Sequence, residues 1–164
     1  MTGTTHNVLF ICTGNSARSI LAEGLMNSLG KGRFVAYSAG SHPTGAVNPF
    51  ALEALAALHI PTDAFRSKNW DEFARPDSPR LDFVFTVCDH AAGELCPVWI
   101  GQPMTAHWGV ADPAAVKGSD DEKRQQFRTT AVTLKRRIEL MLALPIDRLD
   151  AMAIQREVRD IGSR

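Results

Sequence analysis

Short apolar runs alternate along this chain with apolar residues at helical spacing. Four runs have the length of β-strands, at residues 8–11, 34–38, 81–87 and 104–107. The first of them, Val-Leu-Phe-Ile, contains no polar residue, which is typical of a strand that is buried on both faces. These runs predict the strands of a sheet.

Three other stretches place apolar residues at intervals of three and four, the pattern of an amphipathic helix. The first covers residues 20–29 and is followed by glycines that predict its end. The second begins at Asn48–Pro49, an N-cap followed by a proline suited to the first helical position, and ends at Pro61. The third opens with a capping box at residues 119–122 and ends before Pro145.

Strands that alternate with helices predict an α/β fold with a parallel sheet and right-handed crossover connections. Ligands of such sheets bind beyond the carboxyl ends of the strands. Cys12 follows the first strand and Cys88 follows the third, so we expect both at the same edge of the sheet.

The composition fits one globular domain: 164 residues, 45% of them hydrophobic, with a formal net charge of +0. A balanced charge argues against nucleic-acid or anionic-membrane partners, and no apolar run approaches the ~20 residues of a membrane-spanning helix. Residues 135–137 form a basic run that we expect to face solvent. The N-terminus has no signal-peptide pattern, and three cysteines, an odd number, indicate thiols in a reducing cytoplasm.

The loop between the first strand and the first helix has the composition of an anion site. Backbone N–H groups at a helix N-terminus have no intrahelical partner and, with the helix dipole, attract negative charge. Arg18 adds a planar fork for two oxygens of an oxyanion, and the same field favours the thiolate of Cys12, a nucleophile. The predicted oxyanion-binding residues are Thr13, Gly14, Asn15, Ser16, Ala17, Arg18 and Ser19. The alternative is a buried structural cysteine beside a surface arginine.

In this context the sequence from Cys12 to Ser19 resembles the phosphate-binding loop of the low-molecular-weight protein tyrosine phosphatase superfamily, which includes a branch of arsenate reductases. The resemblance extends from residue 7 to about residue 144. It implies a three-layer fold in which a four-stranded parallel sheet carries helices on both faces. It also implies a phosphatase-like domain at residues 1–145, followed by a C-terminal helical extension at residues 146–164.

A second motif is the loop Trp-Gly-Val-Ala-Asp-Pro at residues 108–113. In the phosphatases an aspartate before a proline, on a loop over the pocket, protonates the leaving group. The resemblance therefore implies that Asp112 is the general acid. The alternative is a loop aspartate that caps a turn.

Two further cysteines, Cys88 and Cys96, lie in a loop with Pro97 and Gly101 as breakers. A phosphatase gains nothing from them, whereas a thiol relay uses such a pair. They are otherwise two ordinary buried thiols, or zinc ligands together with His90 and His107, although the spacing lacks the tight pattern of structural zinc sites.

The resemblance to the arsenate reductases implies a mechanism. Cys12 attacks arsenate, for which phosphate or sulfate is a mimic, and Asp112 protonates the departing oxygen. Cys88 then attacks the arsenylated Cys12, which releases arsenite and leaves a disulfide, and Cys96 moves that disulfide outwards. This implies arsenic detoxification in the cytoplasm by a monomer without a tightly bound cofactor, whose external reductant is thioredoxin or glutaredoxin with glutathione.

Some relatives hold a potassium ion near the loop, with residues that match Asn15, Glu23 and Ser38. Here Lys68 falls close to where a further carboxylate would be wanted, so a potassium ion and a buried ammonium group both remain open. Another departure is Ala17, where many relatives carry a cysteine.

Two other functions remain open from the sequence. A low-molecular-weight tyrosine phosphatase would hydrolyse aryl phosphates through a Cys12 phosphoenzyme and would not need Cys88 or Cys96. A non-enzymatic oxyanion-sensing module would bind a partner through the segment after Pro145.

Overall fold

A parallel four-stranded sheet lies at the centre of the protein, which we describe from a computed structural model that covers residues 5–89, 93, 99 and 101–164. Within this range the strand order is β2–β1–β3–β4. The strands are β1 (His6–Ile11), β2 (Phe34–Ala39), β3 (Phe83–Thr86) and β4 (Met104–His107). The sheet confirms the predicted α/β fold class, and its first and third strands are neighbours.

The position of each strand in the sheet explains its sequence. β1 pairs on one side with β2 and on the other with β3, and its residues 8–11 are buried on both faces. This is why the run contains no polar residue. β4 lies at an edge, where half-buried and exposed positions alternate. The strand predicted at residues 81–87 is shorter in the structure, although Leu81 and Val87 are both fully buried.

Four helices of the described residues surround the sheet: α1 (Arg18–Leu29), α2 (Pro49–Ala57), α3 (Asp120–Leu142) and α4 (Ala151–Ile161). Helix α1 packs against β1 and β2 and also contacts α2 and α3. Helix α4 packs against α3 and along the edge strand β4, where the Gln155 side chain donates to the carbonyl of Thr105 at 2.8 Å. A free strand edge is thereby covered.

Helix starts match the predicted caps. The Asn48 side chain accepts from the N–H of Phe50, and Ser119 and Glu122 form a reciprocal capping box. The end of α2 differs, since the helix stops at Ala57 rather than at Pro61.

The early end of α2 follows from a C-terminal cap that the sequence does not announce. His59 adopts a left-handed conformation with φ of 61°, and the N–H of Ile60 donates back to the carbonyl of Leu55 at 3.1 Å. This is a Schellman-type cap with histidine at the position that glycine usually takes.

The basic run at residues 135–137 does not face solvent as a whole. Arg137 is 7% exposed, and its guanidinium points to the carbonyls of Trp108 and Gly109. The prediction is therefore wrong for this residue, which lies one helical turn from Leu134 on the buried side of α3.

The segment after residue 145 forms a short turn and then α4, which ends at Ile161. Val158 and Ile161 are buried, whereas Met152 is 81% exposed. The boundary between a phosphatase-like domain and an extension at residue 145 stays a prediction. Among the helices that the structure describes, none combines the length and the apolar character needed to cross a membrane.

Glycine at position 24 is required by the packing of α1 against α2. A Cβ added there would lie 2.9 Å from the Leu55 side chain and 3.0 Å from the Phe65 ring. We predict that Gly24→Ala lowers the free energy of unfolding by about 1 kcal/mol, because overpacking of about 1–3 kcal/mol outweighs the ~1 kcal/mol gain in helix propensity. Urea denaturation measures this change.

The control is Ser28→Ala, an exposed position of the same helix, which we expect to leave stability within about 0.5 kcal/mol. A Gly24→Ala protein more stable than the wild type would contradict this account of the helix contact.

Candidate active site

The loop between β1 and α1 is fixed by hydrogen bonds that its carbonyl groups accept. The carbonyls of Thr13, Gly14 and Ser16 accept backbone N–H groups of residues 42–48 at 2.9 to 3.0 Å. Because the carbonyl and N–H of one peptide unit point in opposite directions, the following N–H groups face the inside of the loop. A concave row of N–H groups of this kind binds anions.

Asn15 stabilises this conformation from inside the protein. Its φ of 45° is left-handed, and its side chain is fully buried. The amide nitrogen donates to the hydroxyls of Ser19 at 2.8 Å and Ser38 at 3.0 Å, while the amide oxygen accepts the N–H of Lys68 at 2.9 Å. The Ser19 hydroxyl, one of the predicted oxyanion-binding groups, thus accepts a hydrogen bond from Asn15.

Arg18 stands at the start of α1, whose N-cap residue, Ala17, offers no side-chain acceptor. One guanidinium nitrogen donates to the carbonyl of Val110 at 3.1 Å, and another lies 3.7 Å from the Asp112 carboxylate. The Nε is buried and has no acceptor among the described residues. A buried donor without an acceptor is what an oxyanion-binding arginine would offer to its ligand.

Cys12 and Cys88 lie side by side, both buried. The Cys12 sulfur is in hydrogen-bonding contact with Cys88 and also accepts from the N–H of Gly14. The contact with Cys88, followed by burial, raises the pKa of Cys12 far above its ordinary value, while Arg18 and the Gly14 N–H act in the opposite direction. The thiolate-favouring field predicted for the loop is thus present, while the contact with Cys88 and burial act against it.

Cys88 itself is held against the anion loop. Its sulfur accepts the backbone N–H of Thr13 at 3.4 Å and lies 3.7 Å from the Thr13 hydroxyl. Two cysteine side chains in hydrogen-bonding contact are close enough in space to be candidates for a disulfide.

Asp112 combines the two roles that the sequence left open. One carboxylate oxygen accepts the N–H of Ala114 at 2.9 Å and caps a short turn, while the other faces Arg18. Its side chain is 42% exposed. It borders an open cleft of about 420 Å³ that is also lined by Arg18, Cys88, Asp89, Gly109, Val110 and Ala111.

Cys96 lies outside the described residues, as does His90, so the zinc alternative cannot be built from them. Among the residues that the structure does describe, no group of three or more potential metal-binding side chains occurs. Both ring nitrogens of His107 are bonded, to the hydroxyl of Thr86 and to the carboxylate of Asp89, each at 2.7 Å.

The position implied for a potassium ion contains a cationic side chain. Glu23 accepts a short hydrogen bond from the hydroxyl of Ser38, and the Lys68 ammonium lies 3.9 Å from the same carboxylate oxygen. The ammonium also donates to the carbonyl of Arg66 at 3.0 Å. Burial raises the pKa of Glu23 and lowers that of Lys68, and each charge opposes the shift of the other. With this ammonium in place the residues do not fit a monovalent metal ion.

Sequence reasoning missed Arg137, which reaches the loop before Asp112 from α3. A signal was present in the helical spacing. Residues 130, 134, 137 and 141 form one buried stripe of α3, so position 137 belongs to the face that packs inward.

Comparisons with known proteins agree with this geometry. A family profile for low molecular weight phosphotyrosine protein phosphatases matches residues 7–158. The arsenate reductase of Halalkalibacterium halodurans is 36% identical over 132 residues, which are 80% of this chain and 91% of that protein. A solved arsenate reductase in the phosphate binding state has a TM-score of 0.66 at 27% identity, covering 85% of this chain and 98% of that one. A solved thioredoxin-dependent arsenate reductase of Corynebacterium glutamicum shares the fold, with a TM-score of 0.57 at 24% identity. The match covers 85% of this chain and 65% of that one.

The contact between the two sulfurs predicts a measurable change in the acidity of Cys12. Removal of the thiol in Cys88→Ala takes away the largest cause of the raised pKa and leaves Arg18 and the Gly14 N–H in place. We expect the pKa of Cys12 to fall. The rate of Cys12 alkylation by iodoacetamide, followed by mass spectrometry from pH 5 to pH 10, measures it.

The expected profile for Cys88→Ala rises at lower pH than that of the wild type. Thr13→Val, which removes a hydroxyl near Cys88 but no thiol, is the control and should leave the profile closer to wild type. Identical profiles for Cys88→Ala and wild type would contradict the assigned contact.

The buried pair of Glu23 and Lys68 predicts a double-mutant cycle. Lys68→Met leaves the Glu23 carboxylate buried without its cation, so we expect a loss of about 3 kcal/mol in the free energy of unfolding. The double variant Glu23→Gln/Lys68→Met carries neither charge and should lie within about 1 kcal/mol of the wild type. Equal losses in the single and double variants, measured by urea denaturation, would show that the pair is not coupled.

Proposed function

Because the chain belongs to the low molecular weight phosphotyrosine protein phosphatase family, we propose that its Cys12 loop binds a tetrahedral oxyanion, and that this oxyanion is arsenate, which the protein reduces to arsenite. The observation that carries the proposal is the contact between the sulfurs of Cys12 and Cys88. Relatives at 32–36% identity that bear the name arsenate reductase support the choice of substrate.

The second thiol distinguishes reduction from hydrolysis. Hydrolysis through a phosphoenzyme needs a nucleophile, an arginine loop and an acid, and it makes no use of a second thiol beside the nucleophile. Reduction needs a second sulfur within reach of the first, because two thiols supply the two electrons that convert arsenic(V) to arsenic(III). Cys88 meets that need.

In the first step the sulfur of Cys12 attacks arsenic while the loop N–H groups and Arg18 hold the oxygens. A sulfur–arsenic bond forms and one arsenic–oxygen bond breaks. Asp112 donates the proton with which the departing hydroxyl leaves as water, and the proton that the Cys12 thiol gives up replaces it on Asp112. The 3.7 Å separation of the Asp112 carboxylate and the Arg18 guanidinium supports this role for Asp112.

In the second step Cys88 attacks the sulfur of Cys12. A sulfur–sulfur bond forms, the sulfur–arsenic bond breaks, and its electron pair stays on arsenic, which leaves as arsenite with the Cys88 proton on one of its oxygens. The N–H of Thr13 that bonds the Cys88 sulfur at 3.4 Å stabilises negative charge on this nucleophile.

In the third step Cys96 attacks Cys88, which forms a Cys88–Cys96 disulfide and restores the Cys12 thiol. An external dithiol then reduces this disulfide and supplies both electrons. We assign that role to thioredoxin, since a disulfide passed between two cysteines suits a protein dithiol better than glutathione. The reaction belongs in a reducing cytoplasm, and one chain suffices, because Cys12, Arg18, Cys88 and Asp112 all come from the same chain.

The second candidate is phosphotyrosine or aryl phosphate hydrolysis, which the same loop and Asp112 favour. It needs Cys12 and Asp112 but not Cys88 or Cys96. A weak phosphatase activity beside arsenate reduction is compatible with the proposal, whereas strong hydrolysis without arsenate reduction is not.

We predict that arsenate-dependent NADPH oxidation, coupled through thioredoxin and thioredoxin reductase, occurs with the wild type and falls to background with Cys88→Ser. Cys88→Ser removes the sulfur that attacks the arsenylated Cys12, so no arsenite leaves. Retained multiple turnover in Cys88→Ser would refute the relay. Silence of both proteins, with aryl phosphate hydrolysis intact, would favour the phosphatase.

The matched variant Cys96→Ser separates the last two steps. We expect it to release one arsenite per protein molecule without external thiol, as the wild type does, and to lose multiple turnover with thioredoxin. If multiple turnover occurs only with glutathione and glutaredoxin, these replace thioredoxin as the reductant and the proposed reaction stands.

A further inference from the structure

A buried arginine fixes the loop that carries Asp112. Arg137 projects from the C-terminal part of α3, is 7% exposed, and donates from one nitrogen to the carbonyl of Trp108 at 2.8 Å and of Gly109 at 3.1 Å. Its Nε is buried without an acceptor, and no carboxylate is paired with it in the part of the chain that the structure describes. Burial lowers the pKa of this guanidinium.

Such a residue is costly for stability. A buried guanidinium loses its hydration, and carbonyl oxygens compensate for this loss less well than a carboxylate would. An apolar side chain of similar length would fill the same space on α3 without that cost. The contacts of Arg137 therefore indicate a role at the backbone carbonyls that accept its hydrogen bonds.

The hydrogen bonds end at the base of the acid loop. The residue directly after Gly109 is Val110, whose N–H donates to the carbonyl of Val87 at 3.1 Å and whose own carbonyl accepts from Arg18. The loop is thus held on one side by the sheet and the anion-binding arginine, and on the other side by α3.

The C-terminal helix α4 also contacts the base of the acid loop. The Trp108 indole stacks on Phe85 with ring centroids 4.1 Å apart and donates its N–H to the carbonyl of Val158 at 2.9 Å. Val158 lies in the last turn of α4, where carbonyls lack intrahelical donors. Gly162, directly after α4, packs so closely on β4 that an added Cβ would lie 2.1 Å from the carbonyl of His107.

We propose that Arg137 and helix α4 are positioning elements for Asp112, so that the C-terminal segment sets the rate at which the acid protonates the departing oxygen. The inference rests on the proposed role of Asp112 as the acid. Arg137 touches no reacting atom and acts through the carbonyls of Trp108 and Gly109.

The test is a double-mutant cycle on the single-turnover rate of arsenite formation, measured by rapid quench without external thiol so that reduction of the enzyme does not limit the rate. We expect Asp112→Asn to lower this rate about 100-fold, as loss of a general acid does. Arg137→Met should lower it about tenfold with the arsenate concentration for half-maximal rate changed less than about twofold, because the anion loop keeps its contacts. In the Asp112→Asn background, Arg137→Met should cost less than about twofold further.

The matched control is Arg128→Met, the same change at an exposed position of α3, which should leave the rate and its coupling to Asp112 unchanged. Trp108→Phe keeps the stack on Phe85, removes the donor to Val158 and should show the same non-additivity as Arg137→Met. If Arg137→Met does not fold, Arg137→Lys, which keeps a buried donor, is used in its place. We expect it to lower the single-turnover rate less and to show the same non-additivity with Asp112→Asn.

A full additional loss from Arg137→Met in the Asp112→Asn background would overturn the inference, since the residue would then act on the fold as a whole. A wild-type rate in Arg137→Met would also overturn it while leaving the proposed function intact. A wild-type rate in Asp112→Asn would instead remove the acid from the proposed mechanism, and the positioning role with it.

Discussion

The inward orientation of backbone N–H groups between Cys12 and Arg18 is the constraint on which most other features of the protein depend. Carbonyls of this loop must find donors elsewhere, and residues 42–48 supply them. The loop must also pack closely on the end of β2, which is why residue 40 is glycine, since a Cβ there would lie 2.4 Å from the carbonyl of Thr13. A buried amide, that of Asn15, then connects the loop to β2 and to the backbone of Lys68. The anion site is thus built from the sheet edge outward, and its geometry does not depend on exposed side chains.

Charge beneath this loop is balanced by groups that the chain itself provides. Glu23 lies under the loop, bonded to Ser38, and would be a costly buried anion if no cation were near. The Lys68 ammonium, 3.9 Å away, offsets that cost. The backbone N–H of the same residue donates to the Asn15 amide oxygen. The residue that holds the loop through its backbone thus also neutralises the buried carboxylate through its side chain.

The strands and helix starts were predictable because they depend on local sequence, such as the unbroken apolar run of β1 and the capping box of α3. Cys12, Arg18, Cys88 and Asp112 were predicted as site residues. In the structure Arg18, Cys88 and Asp112 line one cleft and Cys12 contacts Cys88, while their catalytic roles remain proposals. The burial of Arg137 and the raised pKa of Cys12 were not predicted. Both depend on contacts between segments far apart in sequence: Arg137 bonds backbone carbonyls, which every residue has, and the Cys12 pKa depends on Cys88, 76 positions away.

The phosphatase and reductase alternatives share every feature of the anion loop, because phosphate and arsenate have the same charge and shape. The element bound to the Cys12 sulfur decides what a neighbouring thiol can do. Attack by Cys88 on that sulfur pushes an electron pair onto the bound element. Arsenic(V) accepts the pair and leaves as arsenic(III), whereas phosphorus(V) in a phosphoenzyme has no comparably accessible lower state, so that intermediate awaits water. A site with Cys88 beside Cys12 would therefore bind both oxyanions and separate them by the fate of the covalent intermediate. Selectivity of this kind needs no difference in affinity, which explains how a phosphate-binding loop could serve an arsenate reductase without being rebuilt.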